Sequence, residues 1–272
     1  MAQLNAFFQD IKLPTVPEVG QSLIHTLNDE DVPFERVRGA ISKDPALTAK
    51  LVRLANSARF ALPRSVGSLD EAITMVGLNQ VRTLALAACV SETFPVIPGM
   101  NPREYWTESM ACAGYSQWLA RTLGCDVQIA WLTGFMARLG ELIIGQKEPA
   151  HITEIERLPH HPGGRWERES QLLGFTEGEV SSELARRWNF PPEIVRALAT
   201  SCDPMATKPF CRLGAIVHIA TLLAEIGIEE HKTPEQTIDD LPQEVLAALQ
   251  LDAAWLKTHL PEVSQFTDTT LH

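Results

Sequence analysis

Histidine and cysteine are the residues of this chain best suited to hold a metal or attack a substrate, and their spacing argues against both roles. His160 and His161 stand together in a loop that also contains Pro159, Pro162, Gly163 and Gly164. No third ligand lies at a spacing that would close a zinc site around them, so a solvated loop pair is the expected reading. His151, His218, His231 and His259 are scattered along the chain. Each is expected at a helix cap, on the surface or as a hydrogen-bonded core residue. The five cysteines, Cys89, Cys112, Cys125, Cys202 and Cys211, form no C-x-x-C pair and are expected as reduced thiols in the core. Glu177 and Glu179 could serve as a carboxylate pair for acid–base work, but Thr176 and Glu179 also have capping-box spacing, which is the expected role.

The elements that must position these groups all read as helices. Apolar residues recur at helical spacing almost throughout, and no run of strict alternation indicates a sheet, so the expected fold class is all-α. Asp44-Pro45 places an N-cap carboxylate before a first-turn proline, opening a helix through Leu47, Leu51, Leu54 and Ala55. Ser68 and Glu71 have the spacing of a second capping box, with Gly77 as its helix stop. Leu78 to Phe94 is nearly all apolar and suits only a buried helix, ended by Pro95, Pro98, Gly99 and Pro102. Further helices are expected over 103–123, 127–144, 176–188, 192–200, 210–226 and 243–249. Asn56 is expected to cap backbone groups or occupy a left-handed turn, and Phe60 to anchor a core or interdomain contact. Trp106, Trp118, Trp131 and Trp188 are expected as packing residues.

Composition narrows the function classes. With 45% hydrophobic residues in 272, the chain can bury a substantial core without covalent staples. Its 34 acidic against 23 basic residues give a net charge of −11, which opposes nonspecific binding to phosphate backbones, so no nucleic-acid partner is expected. From Glu225 to His272 the net charge is −8, so the last segment carries most of the excess. The longest apolar run, Thr83 to Val90, falls far below the ~20 residues of a spanning helix, and no basic-then-apolar signal opens the chain. A cytoplasmic location without membrane insertion is expected.

Four motifs in register resemble the N-terminal signature of HDOD domains. They are Leu13-Pro14-x-x-Pro17, Asp44-Pro45-Ala46-Leu47-Thr48, Leu54-Ala55-Asn56-Ser57-Ala58-Arg59-Phe60 and Ala72-Ile73-x-x-x-Gly77. The resemblance continues through Tyr105-Trp106, Gly134, Gly140, Glu169 to Gly174 and Trp188-Asn189-Phe190-Pro191, spanning roughly Leu13 to Pro204. It implies a multi-helix bundle with an HD-domain-like core and an N-terminal helical subdomain. The implied divisions are 1–98, a degenerate HD-like subdomain over 99–208, and an acidic helical extension over 209–272 packed on the HD-like part. The two main parts are expected to share a large apolar interface.

HDOD domains are related to phosphohydrolases in which histidines and an HD pair gather a divalent metal that activates water for attack on phosphorus. The resemblance aligns those positions with Glu108, the pair Ala137-Arg138, Glu177 and the pair Ser201-Cys202. None is a histidine, and the HD pair has become Ala137-Arg138. The implied protein has no metal and no cofactor and is not an enzyme. It is a noncatalytic regulatory module of bacterial signal transduction, binding a protein partner or a small signalling ligand. The alternative is a divergent metal-dependent phosphohydrolase of a nucleotide or cyclic nucleotide, its site rebuilt from Glu108, Glu177, Cys202 and Asp203. A third reading keeps nucleotide affinity without turnover, with Arg138 on the phosphate. In the leading reading the cation has moved onto a side chain, and Arg138 is expected to face Glu108, Glu177 or both.

Overall fold

The computed structural model describes residues 2–9, 11–27, 29, 32–57, 60, 62–157, 161–228 and 233–267. His160, His231, Ala58, Arg59 and Pro159 lie outside the described residues. Among the described residues the regular elements are all helices.

The N-terminal region holds α1 (Ala2–Gln9), α2 (Glu18–Ile24), α3 (Phe34–Ile41), α4 (Pro45–Ala55), α5 (Leu69–Val76) and α6 (Leu78–Ser91). Asp44 caps α4 by accepting hydrogen bonds from Ala46 N (2.9 Å) and Leu47 N (3.0 Å), so the helix starts at the aspartate–proline pair. Ser68 caps α5 from Glu71 N, but the Glu71 carboxylate turns to Gly67 N at 2.8 Å instead of closing the expected box. Gly77, at φ 99°, ends α5 and begins α6 without a steric penalty. Helix α6 stops at Ser91, short of Phe94, and packs against α2, α3, α4, α5 and α8. Asn56 sits at φ −81° and not in a left-handed turn, and Phe60 is half-buried against the main core.

Next come α7 (Pro102–Thr122), α8 (Val127–Met136), α9 (Leu139–Lys147), α10 (Pro149–Ile155), α11 (Gly164–Leu173), α12 (Glu177–Arg187) and α13 (Pro192–Thr200). The C-terminal elements are α14 (Arg212–Ile228), α15 (Pro234–Asp239), α16 (Gln243–Leu249), α17 (Ala253–His259) and α18 (Ser264–Thr267). Helices α7, α8 and α14 pack on one another, and α14 also meets α13, so the start of the acidic C-terminal segment is a core helix. One apolar core runs from Leu4 to Leu256, crossing residue 98 without interruption. Helix α1 reaches over that crossing: the Phe7 ring lies 4.9 Å from the Phe175 ring, tilted by 56°, and Lys147 Nζ donates to Phe7 O at 2.8 Å. The segment Val127–Lys147 is long and apolar enough to cross a membrane by length and composition, yet 89% of its most apolar window is buried inside the fold.

The single helix expected over 127–144 is two helices, broken at Ala137-Arg138. The backbone freed by the break is satisfied by side chains from two other helices. Ser181 Oγ donates to Ala137 O (2.9 Å) and accepts from Gly140 N (2.7 Å), while Tyr105 Oη donates to Arg138 O (2.9 Å). A Cβ on Gly140 would lie 2.1 Å from Glu177 O, so glycine is what allows α9 to meet the start of α12. The Pro/Gly-rich loop expected around 159–164 conceals a helix start, since α11 begins at Gly164 itself.

Candidate functional site

The break between α8 and α9 aims Arg138 into a junction built by α7, α9, α11 and α12. Arg138 is 6% exposed and forms ion pairs with Glu108 on α7 and with Glu141, whose Oε2 lies 2.8 Å from Nη2. Its guanidinium lies 5.6 Å from the centre of the Tyr105 ring. Glu177 has no ion pair with Arg138 in reach of a hydrogen bond. Its cation is Arg165, at 3.4 Å, and its Oε1 accepts from Trp166 Nε1 at 2.9 Å. Arg165, 4% exposed, also lies 2.8 Å from Glu141, 3.1 Å from Glu156 and 3.9 Å from Glu169. Glu169 accepts from the backbone N–H of Glu177 at 2.7 Å, tying α11 to the first turn of α12.

Two guanidinium groups thus face five carboxylates, and the imbalance shows in their proton affinities. Burial raises Glu141, but Arg138 and Arg165 outweigh it and hold this carboxyl below its usual range. Burial also raises Glu177, against the attraction of Arg165 and Arg138, to about 6. Burial and then the like charge of Glu177 push Glu169 well above the ordinary carboxyl range. Arg165 is held well above its usual value, because Glu141, Glu177, Glu156 and Glu169 outweigh its burial.

The remaining aligned positions border this cluster. Ala137 is buried and offers only its carbonyl, to Ser181. Ser201 ends α13, where its Oγ bonds Leu198 O and its carbonyl accepts His218 Nδ1 at 2.7 Å. Cys202 Sγ lies 2.8 Å from where a Cβ on Gly178 would sit, so Ser201 and Cys202 press on α12 beside Glu177. Burial raises the Cys202 thiol well above its usual range, and it raises Cys89 and Cys112 to about 12, which keeps these thiols protonated. Glu179 closes a capping box with Thr176.

These residues do not fit a divalent metal. The carboxylates that could ligate one converge on two guanidinium groups whose fixed positive charge would oppose it, and Ala137 carries no ligand atom. Among the described residues no group of three or more His, Cys, Asp or Glu side chains has metal-holding geometry. Arg138 is already engaged by two carboxylates, which disfavours it as a phosphate contact. The aligned positions include neither Arg165 nor Glu141, which complete the cluster. Their signals are present in the sequence as Arg138 and Glu141 at i,i+3 and Arg165 and Glu169 at i,i+4.

A groove of about 650 Å³ opens on the far side of Trp166 and Cys202, bordered by α11, α14 and the α15–α16 turn. His218 and Asp203 line it.

Comparison with known proteins places this geometry. The HDOD domain family is matched over residues 13–204. A protein of Treponema pallidum (strain Nichols), itself uncharacterised, is 24% identical over 250 residues, covering 89% of this chain; the chain spans about half of that relative, 47% of its length. Among solved structures, a provisionally named phosphohydrolase from Shewanella amazonensis SB2B superposes with a TM-score of 0.81 at 25% identity, covering 100% of this chain and 98% of that one. An HDOD domain protein of unknown function from Geobacter sulfurreducens gives a TM-score of 0.78 at 23% identity, over 95% and 92% of the two chains. A protein from Marinobacter aquaeolei VT8, provisionally named for signal transduction, gives 0.77 at 22% identity, over 98% of this chain and 62% of that one. With more than half its length matched and the all-helical architecture shared, the chain belongs to the HDOD domain family.

Proposed function

We propose that this protein is a noncatalytic regulatory module of a bacterial signalling pathway, working in the cytoplasm by binding a protein partner or a small ligand. One observation carries the reading: the positions aligned with the HD metal centre are occupied by a buried ion-pair cluster in which Arg138 stands beside Glu108 and Glu141. A hydrolase of this ancestry depends on a metal to activate water and neutralise the charge that develops on phosphorus. Here the positive charge is covalently fixed and paired with carboxylates, so it can neither donate a hydroxide nor follow a reacting phosphate. The provisional signalling name of the Marinobacter aquaeolei relative agrees with a regulatory role.

The Shewanella amazonensis likeness supports a second reading, a divergent phosphohydrolase. Phosphate release from a panel of nucleotides and cyclic nucleotides, with manganese or iron added, separates the two. No turnover above the buffer rate is expected. Metal-dependent release that disappears in Glu177→Gln would sink the noncatalytic reading, and capture of a partner from the native cytoplasm would give it a pathway.

A further inference from the structure

The groove beside the ion-pair cluster is built from residues that the reading above leaves without a task. One wall is apolar, formed by Trp166 of α11, Leu222 of α14 and Pro242. Carboxylates line the groove too, Glu167 on α11 and Asp203 after α13. Among the described residues, no lysine or arginine lines it. The one basic ring at its rim, His161, lies 3.7 Å from Glu167.

His218 also lines the groove and is only 8% exposed. Its Nδ1 lies 2.7 Å from Ser201 O. A carbonyl can only accept, so Nδ1 carries the proton, and a neutral ring then presents Nε2 as a bare acceptor. Burial lowers the affinity of this ring for a second proton, against the hydrogen bond to Ser201, so the neutral form prevails at physiological pH. Trp166, centred 4.9 Å away, holds the imidazole plane in place. Among the described residues Nε2 has no hydrogen-bond partner, on a side chain that lines the groove.

We infer that this groove binds an organic cation, a protonated amine or guanidinium head on an apolar stem. The head would donate to His218 Nε2 and to the Asp203 carboxylate, and the stem would lie along Trp166 and Leu222. Asp203 already accepts Ala206 N at 3.1 Å through Oδ1, which fixes the carboxylate and leaves Oδ2 for the ligand. A volume of about 650 Å³ suits a body of metabolite or single-side-chain size. Phosphorylated ligands are disfavoured, because Glu167, Asp203 and the acceptor nitrogen offer them no countercharge. The inference deepens the regulatory reading and rests on it for its purpose, though not for its chemistry.

The same head can belong to a free amine or to a lysine or arginine of a partner. Titration calorimetry on the full chain, with agmatine, spermidine and a capped Gly-Arg-Gly peptide as probes and ATP as the anionic comparator, tests the site. Saturable one-to-one binding of a cationic probe is expected, with none for ATP. A peptide preferred over agmatine would point to a partner side chain, and the reverse to a free metabolite.

His218→Asn retains a donor near Ser201 O while deleting the Nε2 acceptor, and Asp203→Asn retains the bond from Ala206. Each should weaken binding tenfold or more while far-UV circular dichroism and the melting temperature stay close to those of the parent. Absence of saturable binding by every cationic probe overturns the inference, as does undiminished affinity in both folded variants. Either failure leaves the noncatalytic reading standing, whereas metal-dependent nucleotide turnover would remove that reading without altering the isotherms.

Discussion

Two junctions between helices must satisfy polar groups that packing has stranded, and they do so with opposite chemistry. After α4, the neutral amide of Asn56 donates to Val52 O (2.9 Å) and Val66 O (2.8 Å) and accepts from Val66 N (2.8 Å). One side chain thereby pins the end of a helix to a loop ten residues on, with no net charge to solvate. At α9, α11 and α12, five carboxylates are gathered around two guanidinium groups, and three of the carboxylates are almost fully buried. A neutral staple costs little to bury once its bonds are made. A charged cluster with an excess of carboxylates holds only while its cations remain, because desolvation consumes most of the Coulomb gain. The first arrangement tolerates damage locally; the second makes a whole junction depend on each cation.

Removing Arg165 is the most severe way to break this comparison, since four carboxylates share it. Arg165→Met should destabilise the protein by about 3–5 kcal/mol at neutral pH, read as a lower denaturant midpoint at unchanged slope. Arg138→Ala should cost less, about 2–4 kcal/mol, because its partner Glu108 is a quarter exposed and can be rehydrated. A loss under about 1 kcal/mol for Arg138→Ala would place that guanidinium in the class of solvated surface pairs. Asn56→Ala should cost about 1–2 kcal/mol, since Val66 N and two carbonyls lose a partner at a site that water can reach. If Asn56→Ala proved as damaging as Arg165→Met, the contrast between the two junctions would fail.

The two junctions were also unequally legible in the sequence. Asp44-Pro45, Asn56 and Gly77 act through neighbours within a few residues, or through one loop, so their types announce their roles as cap, staple and stop. The cluster depends on helices far apart in sequence. Arg138 and Glu108 were brought into view by a family resemblance, whereas Arg165 and Glu141 form ordinary i,i+4 and i,i+3 pairs of the kind common on solvated helix faces. Their burial depends on Gly140 admitting α12 and on a helix break at Ala137-Arg138, and the apolar period through 127–144 gives no hint of that break. Likewise, α11 was hidden because glycine and proline before it read as loop, and with α11 unseen the cation of Glu177 was unseen too.

The smallest effect tests the cluster through its protons. Glu177 and Glu169 have folded-state proton affinities raised above the unfolded value, so their contribution is fully present below the unfolded carboxyl pKa and is lost as pH rises through the folded values, near 6 for Glu177. Glu141 has the opposite sign: its affinity is lowered, so its contribution is present above the unfolded value and is lost as pH falls through its folded one. Between about pH 7.5 and 5 these two carboxyls should add stability as the solution becomes mildly acidic, by on the order of 1 kcal/mol, while His218, whose affinity burial lowers, acts against them in the parent and in carboxyl variants alike. Below the ordinary carboxyl range Glu141 reverses the trend. Glu169→Gln isolates the cause, because it keeps an acceptor for the Glu177 backbone N–H while deleting the charge that opposes Glu177. The variant should therefore match or slightly exceed the parent at pH 7.5, by up to about 1 kcal/mol, and its stability should depend less on pH. Denaturant midpoints at pH 5, 6 and 7.5 for both proteins decide the matter. A parent that weakens steadily from pH 7.5 to 5, with Glu169→Gln following in parallel, would mean that the buried carboxyls are ionised together and that Arg165 and Arg138 balance them without a shared proton.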